Sequence, residues 1–455
     1  MQFNSPWLQF NRQSWPNLKE DIECDVAIIG AGISGVSTLY FLLHHTDKKI
    51  VLLEKNHVAS GATGHNAGFA CAVMETSIQQ LINQYGLEKT KRTYYELDRG
   101  WELLLEIYNK LDMQEDFVRI NHTNPAYTSV DNLVYAVTQE MLQDQIGRRR
   151  GSFLIVDDEK IKEKIPDELR KYIQFVPQEK ILKTLKTQDK AYIAVLVTME
   201  TAKTARINSA KFCYKVLLYL QKKFPERFFV YENTEITQID IESSCAVLHH
   251  ARGTIKTHDV ILCTNAYKDF LISDKEQKCS VLKLHESLMI REGYLAAYTG
   301  DNSDAYGAAF FDHRGMYESS PYFYVIHTPP SVNEKAGLTI LGGPEYYISE
   351  DCSADLIQQH AQESFEVGKR FLKNTFNISK DSFDYFWRGI MGYTKSGLRW
   401  VGQDPEYPHL WYNLGCNGVG ILPAISGGEK IAQLMNGETL LSSLFDPPES
   451  IQCHE

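Results

Sequence analysis

DVAIIGAGISGVSTLYFLLHHTDKKIVLLE, residues 25–54, is an apolar strand, a glycine loop, a helix and a second apolar strand that ends in an acid. That order specifies an adenine dinucleotide site. Gly30, Gly32 and Gly35 fit G-x-G-x-x-G: the first allows the tight turn, the second lets backbone approach a pyrophosphate, and the third lets helix pack close on strand. Unpaired N–H groups and the positive dipole end of the helix replace the water that the phosphates lose. Glu54 lies 24 residues after Gly30 (54 − 30), near the roughly 20 expected of the carboxylate that accepts hydrogen bonds from the adenosine ribose. An acid there disfavours a 2′-phosphate, and so NADP.

The rest of the chain must supply a second unit. At 455 residues it exceeds what one hydrophobic core supports, so two intimately packed domains are expected. Hydrophobic residues make up 43% and charged residues 23%, the balance of a soluble globular protein, and no run of about 18 apolar residues offers a membrane span. The start, MQFNSPWLQFNRQSWPNLKED, lacks a basic segment followed by an apolar core. No secretory signal is expected, and a cytoplasmic location follows. Nine scattered cysteines without a C-x-x-C pair argue against a disulfide framework and against a zinc site, so no metal is expected. The net charge of −11 opposes nonspecific nucleic-acid binding. The one dense basic cluster, Gly147-Arg148-Arg149-Arg150-Gly151, reads as a solvated turn or an anion site.

No repeat and no low-complexity linker interrupts the chain, so the domains are expected to interleave. Helical spacing runs from Ser77 to about Leu111, through Leu81, Tyr94, Leu97, Trp101 and Leu104, and a second amphipathic helix starts at Ser209. Short strands are expected at 228–231, 246–248, 260–263, 322–326, 338–341 and 409–414. The last runs into Gly415-Cys-Asn-Gly-Val-Gly-Ile-Leu-Pro and a helix over 424–435. This second glycine-rich strand-to-helix junction presents another array of N–H donors, suited to a polar, electron-accepting ring, or else is a tight structural turn.

Soon after Glu54-Lys55 comes Ser60-Gly-Ala-Thr-Gly-His-Asn-Ala-Gly-Phe, and with it the chain resembles the D-amino-acid oxidase/glycine oxidase (DAO) family of FAD-dependent oxidoreductases. Ala205-Arg-Ile-Asn-Ser-Ala-Lys resembles the opening of the family's central helix. Tyr231-Glu-Asn-Thr-Glu-Ile is similar to the stretch that meets the adenine, and Val260-Ile-Leu-Cys-Thr-Asn-Ala-Tyr to the strand returning to the cofactor domain. Trp387-Arg-Gly-Ile-Met-Gly-Tyr-Thr and Gly415-Cys-Asn-Gly-Val-Gly-Ile resemble the two carboxy-terminal flavin-contacting segments. These segments span about residues 20–440, in the family's order; the leading SPWL and the SGATGHNAG loop are most similar to the gamma-glutamylputrescine oxidase type.

The resemblance implies a mixed α/β fold. A Rossmann-like FAD-binding domain of the glutathione-reductase-2 type (1–95, 195–275 and 385–455) would interleave with an antiparallel-sheet substrate domain (96–194 and 276–384). It also implies which residues hold FAD. Gly30, Ala31, Gly32, Ile33 and Ser34, ahead of Gly35, hold the pyrophosphate, and Glu54 and Lys55 flank the ribose. Ser60, Gly61, Ala62, Thr63, His65, Asn66, Ala67 and Gly68 run beside the isoalloxazine. Ile236, Thr264 and Asn265 are further cofactor-binding candidates, while Gly415, Asn417, Gly418, Val419, Gly420 and Ile421 face the pyrimidine edge. A helix N-terminus aimed there stabilises the negative charge that two-electron reduction places near N1 and C2=O.

Two departures from the family bear on chemistry. Many relatives carry Arg where this loop has His65, and some family amine dehydrogenases attach flavin covalently through a histidine of a similar loop. His65 is therefore either a covalent attachment site or a loop histidine bonded to phosphate or backbone. Amino-acid oxidases of the family commonly grip the substrate carboxylate with an arginine near the strand that corresponds to Tyr322–His327, and no arginine stands there. Arg388 is the remaining bidentate candidate, with a structural ion pair as the alternative.

Oxidising a C–N bond through flavin needs the substrate carbon held about 3–3.5 Å from N5 and an amine that is neutral at that moment. No nucleophile motif is required and none is found. Tyr322 and Tyr324 share a strand face and are candidates for an aromatic wall over the flavin; Tyr317, Tyr346 and Tyr347 lie in the same half. His285, His313 and His327 are isolated, and no general base is named. The expected activity is oxidation of a C–N bond of an amine or amino acid by hydride transfer to flavin N5, giving an imine that hydrolyses, with oxygen or an electron carrier as the second substrate. A flavin-dependent RNA-modifying oxidoreductase and a flavin-bound non-catalytic scaffold are the alternatives.

Overall fold

The parallel strands Ile22–Ile29, Ile50–Leu53 and Gly253–Leu262 lie side by side, each feeding apolar side chains into layers on both faces. Sheets buried on both faces need such near-continuous apolar runs. The computed structural model describes residues 3–199, 202–267, 269–275, 279–280, 287–301, 304–311, 322–330, 336–349 and 352–448. Among these, a ten-stranded sheet runs Phe228–Tyr231, Ile50–Leu53, Ile22–Ile29, Gly253–Leu262, then outward antiparallel through Ala246–His250; Leu410–Leu414 adds parallel to Gly253–Leu262.

Two helices pack on one face of this sheet and a third lies outside them. Ile33–His45 and Ile421–Met435 approach so tightly that a Cβ on Gly428 would fall 2.8 Å from the backbone of Ser37 and Thr38. Leu87–Lys110 lies against the second of them, where a Cβ on Gly100 would meet the Leu422 carbonyl at 2.3 Å. Glycine is required at both contacts because the neighbour is backbone and cannot move aside.

A nine-stranded sheet forms the second layer: Tyr385–Thr394, Leu288–Gly300, Gly337–Ile348, Tyr322–Thr328, Tyr306–Phe311, Thr123–Tyr127, Ala194–Thr198, Gly151–Val156 and Ile173–Val176. Its long central strands are antiparallel. Helix Ala354–Phe376 covers the outer face, with Phe371 stacked on Phe323 at 4.3 Å. A three-stranded sheet, Phe69–Cys71, Thr204–Ile207 and Phe117–Arg119, joins the layers. The chain thus crosses between a cofactor-type and an antiparallel unit several times, the mixed α/β interleaving expected.

Secondary-structure elements run across the expected unit boundaries at 95/96 and 194/195. A break at 95/96 would cut helix Leu87–Lys110, whose apolar face packs on the cofactor-side helices. Tyr385–Thr394 pairs along its whole length with Leu288–Gly300, so it lies in the second sheet, as does Ala194–Thr198. Gly86, at φ +81°, splits the helical stretch 77–111 into Ile78–Tyr85 and Leu87–Lys110. The strand expected at 260–263 is Gly253–Leu262, because its first half alternates exposed and buried residues and reads as loop. The basic cluster is no solvated turn: Arg148 forks Asp98 (3.0 and 2.8 Å), Arg149 lies over Tyr172, and Arg150 pairs with the buried Glu140 at 2.9 Å. The described cysteines carry no disulfide. Among described residues, no helix is long and apolar enough to cross a membrane.

Candidate active site

The glycine loop is held by contacts that leave no room for side chains. Gly30 has φ +102°, and a Cβ on Gly35 would fall 1.9 Å from the Gly30 carbonyl oxygen. Glu54 ties the loop to the second strand: Ala31 N–H donates to Oε2 and Asn56 N–H to Oε1, each at 3.0 Å. Burial holds the Glu54 carboxyl above its ordinary range, with those N–H groups opposing. Gly32, at the N-cap, has no side chain to offer, and Thr63 Oγ1 takes the Ile33 N–H instead, at 2.9 Å.

Thr63 also docks the loop 60–68 on the start of the helix, and two other segments lock it there. The Thr63 carbonyl accepts from Ser209 Oγ (2.6 Å) and Asn66 Nδ2 (3.1 Å). The amino-terminal SPWL closes over it: Ser5 Oγ donates to the Gly64 carbonyl and Trp7 Nε1 to that of Asn66, both at 2.6 Å. His65 Nδ1 lies 3.0 Å from the Gly61 carbonyl. Gly68, at φ +66°, is sealed under Trp7 and the Ile207 carbonyl.

The second junction is organised by Asn265, at φ +56°. Its Oδ1 accepts from the N–H groups of Gly392 (3.3 Å) and Cys416 (3.2 Å), and its Nδ2 donates to the Ile390 carbonyl (3.2 Å). Gly415, Asn417 and Gly418 all have positive φ, and the Asn417 side chain accepts from Thr394 N–H at 2.9 Å. Helix Ile421–Met435 then begins with no side-chain cap, so its first N–H groups are open to a ligand.

Both junctions border one cavity of about 800 Å³. Gly30, Gly32, Ile33, Ser34, Glu54 and Lys55 line it from the first junction; Gly418, Val419, Gly420 and Ile421 from the second. Ser60–Thr63, His65–Ala67, Ile236, Thr264 and Asn265 complete that wall. Ala31, Gly35, Gly68, Gly415 and Asn417 stand behind it as packing and hydrogen-bonding residues. Two polar features of this wall suit FAD. Thr264 Oγ1 is buried with no hydrogen-bond partner among the described residues. Arg399, buried at the same wall, donates to Ser34 Oγ (2.5 Å), Asn413 Oδ1 (2.7 Å) and the Gly415 carbonyl (3.2 Å). Among the described residues no carboxylate pairs with it, and burial lowers its pKa to about 10. A buried guanidinium beside a dinucleotide loop, balanced only by neutral acceptors, fits an incoming pyrophosphate.

The nine-stranded sheet supplies the opposite wall: Arg291, Ala309, Phe311, Tyr324, Glu345 and Met391, with Glu75 from the connection 72–77. Tyr393 OH lies 3.0 Å from Glu75 Oε2 and 3.4 Å from Glu345 Oε2; Arg291 Nη1 lies 3.5 Å from Glu345 Oε2. The Arg291 guanidinium sits 4.2 Å from the ring centres of both Tyr347 and Tyr393. Burial pushes Cys71 up to about 12 and Cys416 upward, so these cavity thiols stay protonated and are poor nucleophiles.

A family model described as FAD dependent oxidoreductase, DAO, matches residues 25–434. The chain belongs to that family. It is an FAD-dependent oxidoreductase with FAD as its cofactor. Gamma-glutamylputrescine oxidoreductase of Escherichia coli (strain K12) is 21% identical over 422 residues, 92% of this chain and 85% of that protein. A putative Rieske 2Fe-2S iron-sulfur protein, YhfW of Bacillus subtilis (strain 168), is 31% identical over 130 residues, 29% of this chain; the match spans 23% of that protein's length. Glycine oxidase from Geobacillus kaustophilus superposes with a TM-score of 0.62 at 17% identity, covering 95% of this chain and 99% of that one.

In this oxidoreductase the substrate-side candidates separate. Tyr324 lines the cavity, and burial raises its pKa above the usual phenol range. Tyr322 opens its strand, but its side chain lies outside the described residues, as do Tyr317, His285 and His313. Tyr346 stacks on His360 at 4.0 Å, and Tyr347 covers Arg291. His327 bonds Thr339 Oγ1 at 2.9 Å, and burial lowers it to about 4. Arg388 is corrected to its alternative: Nε pairs with the fully buried Glu292, which also bonds His360 on helix Ala354–Phe376. It is absent from the cavity wall.

Sequence reading missed Glu75, Arg291, Glu345 and Arg399, and reached Tyr393 only as part of the segment Trp387–Thr394. Each is a lone residue on a different segment, without a spacing signature. Among described residues one His–Asp–His group, His258, Asp259 and His409, gathers ligand atoms within 4.8 Å. Lys48 reaches Asp259 at 3.5 Å and competes with any cation there.

Proposed function

We propose that this oxidoreductase removes a hydride from the carbon of a C–N bond in a small amine or amino acid, giving an imine that hydrolyses to a carbonyl compound. One observation carries the reading: a single cavity runs from the backbone-amide cradles to a wall of paired carboxylates and aromatic rings. FAD, when bound, supplies the two-electron acceptor. The chain supplies orientation and dryness, through Tyr324, Phe311 and Met391, and an acceptor for an amine's N–H groups in Glu75, backed by Glu345. Similarity to gamma-glutamylputrescine oxidoreductase and to glycine oxidase agrees with an amino compound as substrate. Oxygen or an electron carrier then takes the electrons.

Anaerobic mixing of the holoenzyme with polyamines, N-methyl amino acids and D-amino acids tests this. Bleaching of the flavin band by at least one amine, with a carbonyl product, is expected; a panel that leaves the band intact contradicts it and favours a flavin-bound scaffold. FAD is expected to be held noncovalently, with His65 bonded to the loop backbone through Nδ1; attachment through Nε2 is the alternative. Acid precipitation should leave a colourless pellet, and a yellow one would assign His65 as the attachment site.

A further inference from the structure

Glu75, Glu345 and Tyr393 form a carboxyl–phenol–carboxyl chain at the substrate wall. The phenol has one hydrogen and stands 3.0 Å from one carboxylate and 3.4 Å from the other. Both contacts are satisfied together when one carboxyl is protonated and donates to the phenol oxygen while the phenol donates to the other. The site therefore accommodates a mobile proton by its geometry. Arg291 pairs with Glu345 at 3.5 Å, which leaves Glu75, among the described residues, as the acid of the chain with no salt-bridge cation of its own. Glu75 also touches the cofactor side: a Cβ on Gly418 would fall 1.6 Å from its Oε1. It thus stands between the second glycine junction and the substrate sheet, where a C–N bond under oxidation has to lie.

We propose that Glu75 is the catalytic residue that receives the protonated amine of the substrate and accepts its proton, with Tyr393 and Glu345 as positioning residues behind it. This rests on the amine-oxidising function proposed above and names its substrate class as an amine that enters as an ammonium ion. The step balances: one ammonium N–H bond breaks, the proton bonds a Glu75 carboxylate oxygen, and the substrate becomes a neutral amine while Glu75 becomes a carboxylic acid. The freed lone pair then lets the α-hydrogen leave with its electron pair, FAD being the acceptor.

Charge around the cavity agrees. Lys55 pairs with Asp269 at 3.2 Å over the Tyr267 ring, Arg399 serves the pyrophosphate wall, and Arg291 is sandwiched between two tyrosines beside Glu345. The groups facing Glu75 are Glu345 and Arg291 from adjacent strands of the sheet, Tyr393 and Tyr324 beside them, Cys71 from the strand Phe69–Cys71 and Cys416 from the second junction. Glu75 is exposed in surface area because it borders the open cavity, and protein crowds its remaining sides. That crowding, and then the Glu345 charge, push its pKa up to about 7. Arg291 and the phenol hydrogen bond oppose the rise.

The probe is 2-methylpropan-2-amine, a primary ammonium at neutral pH with no α-hydrogen to lose, titrated into holoenzyme and followed by flavin absorbance and by calorimetry in two buffers. Below pH 7 its binding should expel a proton from Glu75 to buffer, so affinity should rise about tenfold per pH unit and level off above about 7. Glu75→Gln should weaken binding by about 10–100-fold, the scale of a lost charged hydrogen bond, and flatten the pH profile. Glu75→Asp should restore the slope. Glu345→Gln should shift the inflection to lower pH while binding above it persists. FAD content of each variant reports folding. Unchanged affinity and slope in Glu75→Gln overturn the assignment, even if amines bleach the flavin. A Glu75-dependent slope with no amine bleaching the flavin would keep the cation site and end the proposed reaction instead.

Discussion

The two walls of the cavity are built from different materials. Against FAD stand backbone N–H groups, glycines at positive φ and one buried guanidinium; against the substrate stand side chains that titrate. Backbone geometry tolerates few residues, so it leaves a written pattern. Side chains converging from separate strands leave none.

The largest effect is expected at Gly35. A methyl group there meets the Gly30 carbonyl at 1.9 Å, so Gly35→Ala should cost about 3 kcal/mol or more, read as lost FAD content and a lowered melting temperature. A variant that binds FAD normally would break the claim that the first junction is rigid. Next comes Arg399→Met. FAD affinity should fall about 10–100-fold, whereas the apoprotein's stability should move little, because lost bonds to Asn413 and Gly415 are offset by relief of an uncompensated buried charge. Equal losses in apo and holo forms would make Arg399 a structural residue. Thr63→Val removes the partner of the Ile33 N–H and should cost about 1 kcal/mol in denaturant unfolding, with a weaker hold on FAD; no change would unlink the loop 60–68 from the helix start.

The smallest effect separates the walls by pH. The folded Glu75 carboxyl binds its proton near pH 7 against an ordinary 4.5. Its contribution to stability is therefore full below about 4.5 and is lost as pH rises through about 7. Melting temperatures of wild type against Glu75→Gln should converge at low pH and diverge above 7, with wild type the lower. Parallel curves would place Glu75 outside the shared-proton chain.

What the sequence made legible follows the same division. The stretch 25–54 named its strand, turn, helix and acid because each needs a particular residue, and the second junction declared itself through Gly415, Gly418 and Gly420. The substrate wall was hidden because sheet order, not sequence, brings Leu288–Gly300, Gly337–Ile348 and Tyr385–Thr394 together. Arg388 drew attention by lying beside a flavin-contacting segment. Its strand neighbours Gly389, Ile390 and Met391 line the cavity, but Arg388 itself pairs with the buried Glu292, which also bonds His360 on the outer helix. Arg399 carried no motif, and its meaning comes from having no acid for a partner among the described residues.

Titrating apoprotein with FAD, in parallel for wild type and for Gly418→Ala, tests most directly whether two junctions from opposite ends of the chain build one cofactor site. A saturating one-to-one complex in wild type, and a marked loss of affinity when Gly418, at φ +75° and pressed against Glu75, gains a methyl group, is the expected result. Undiminished FAD binding by Gly418→Ala would contradict it.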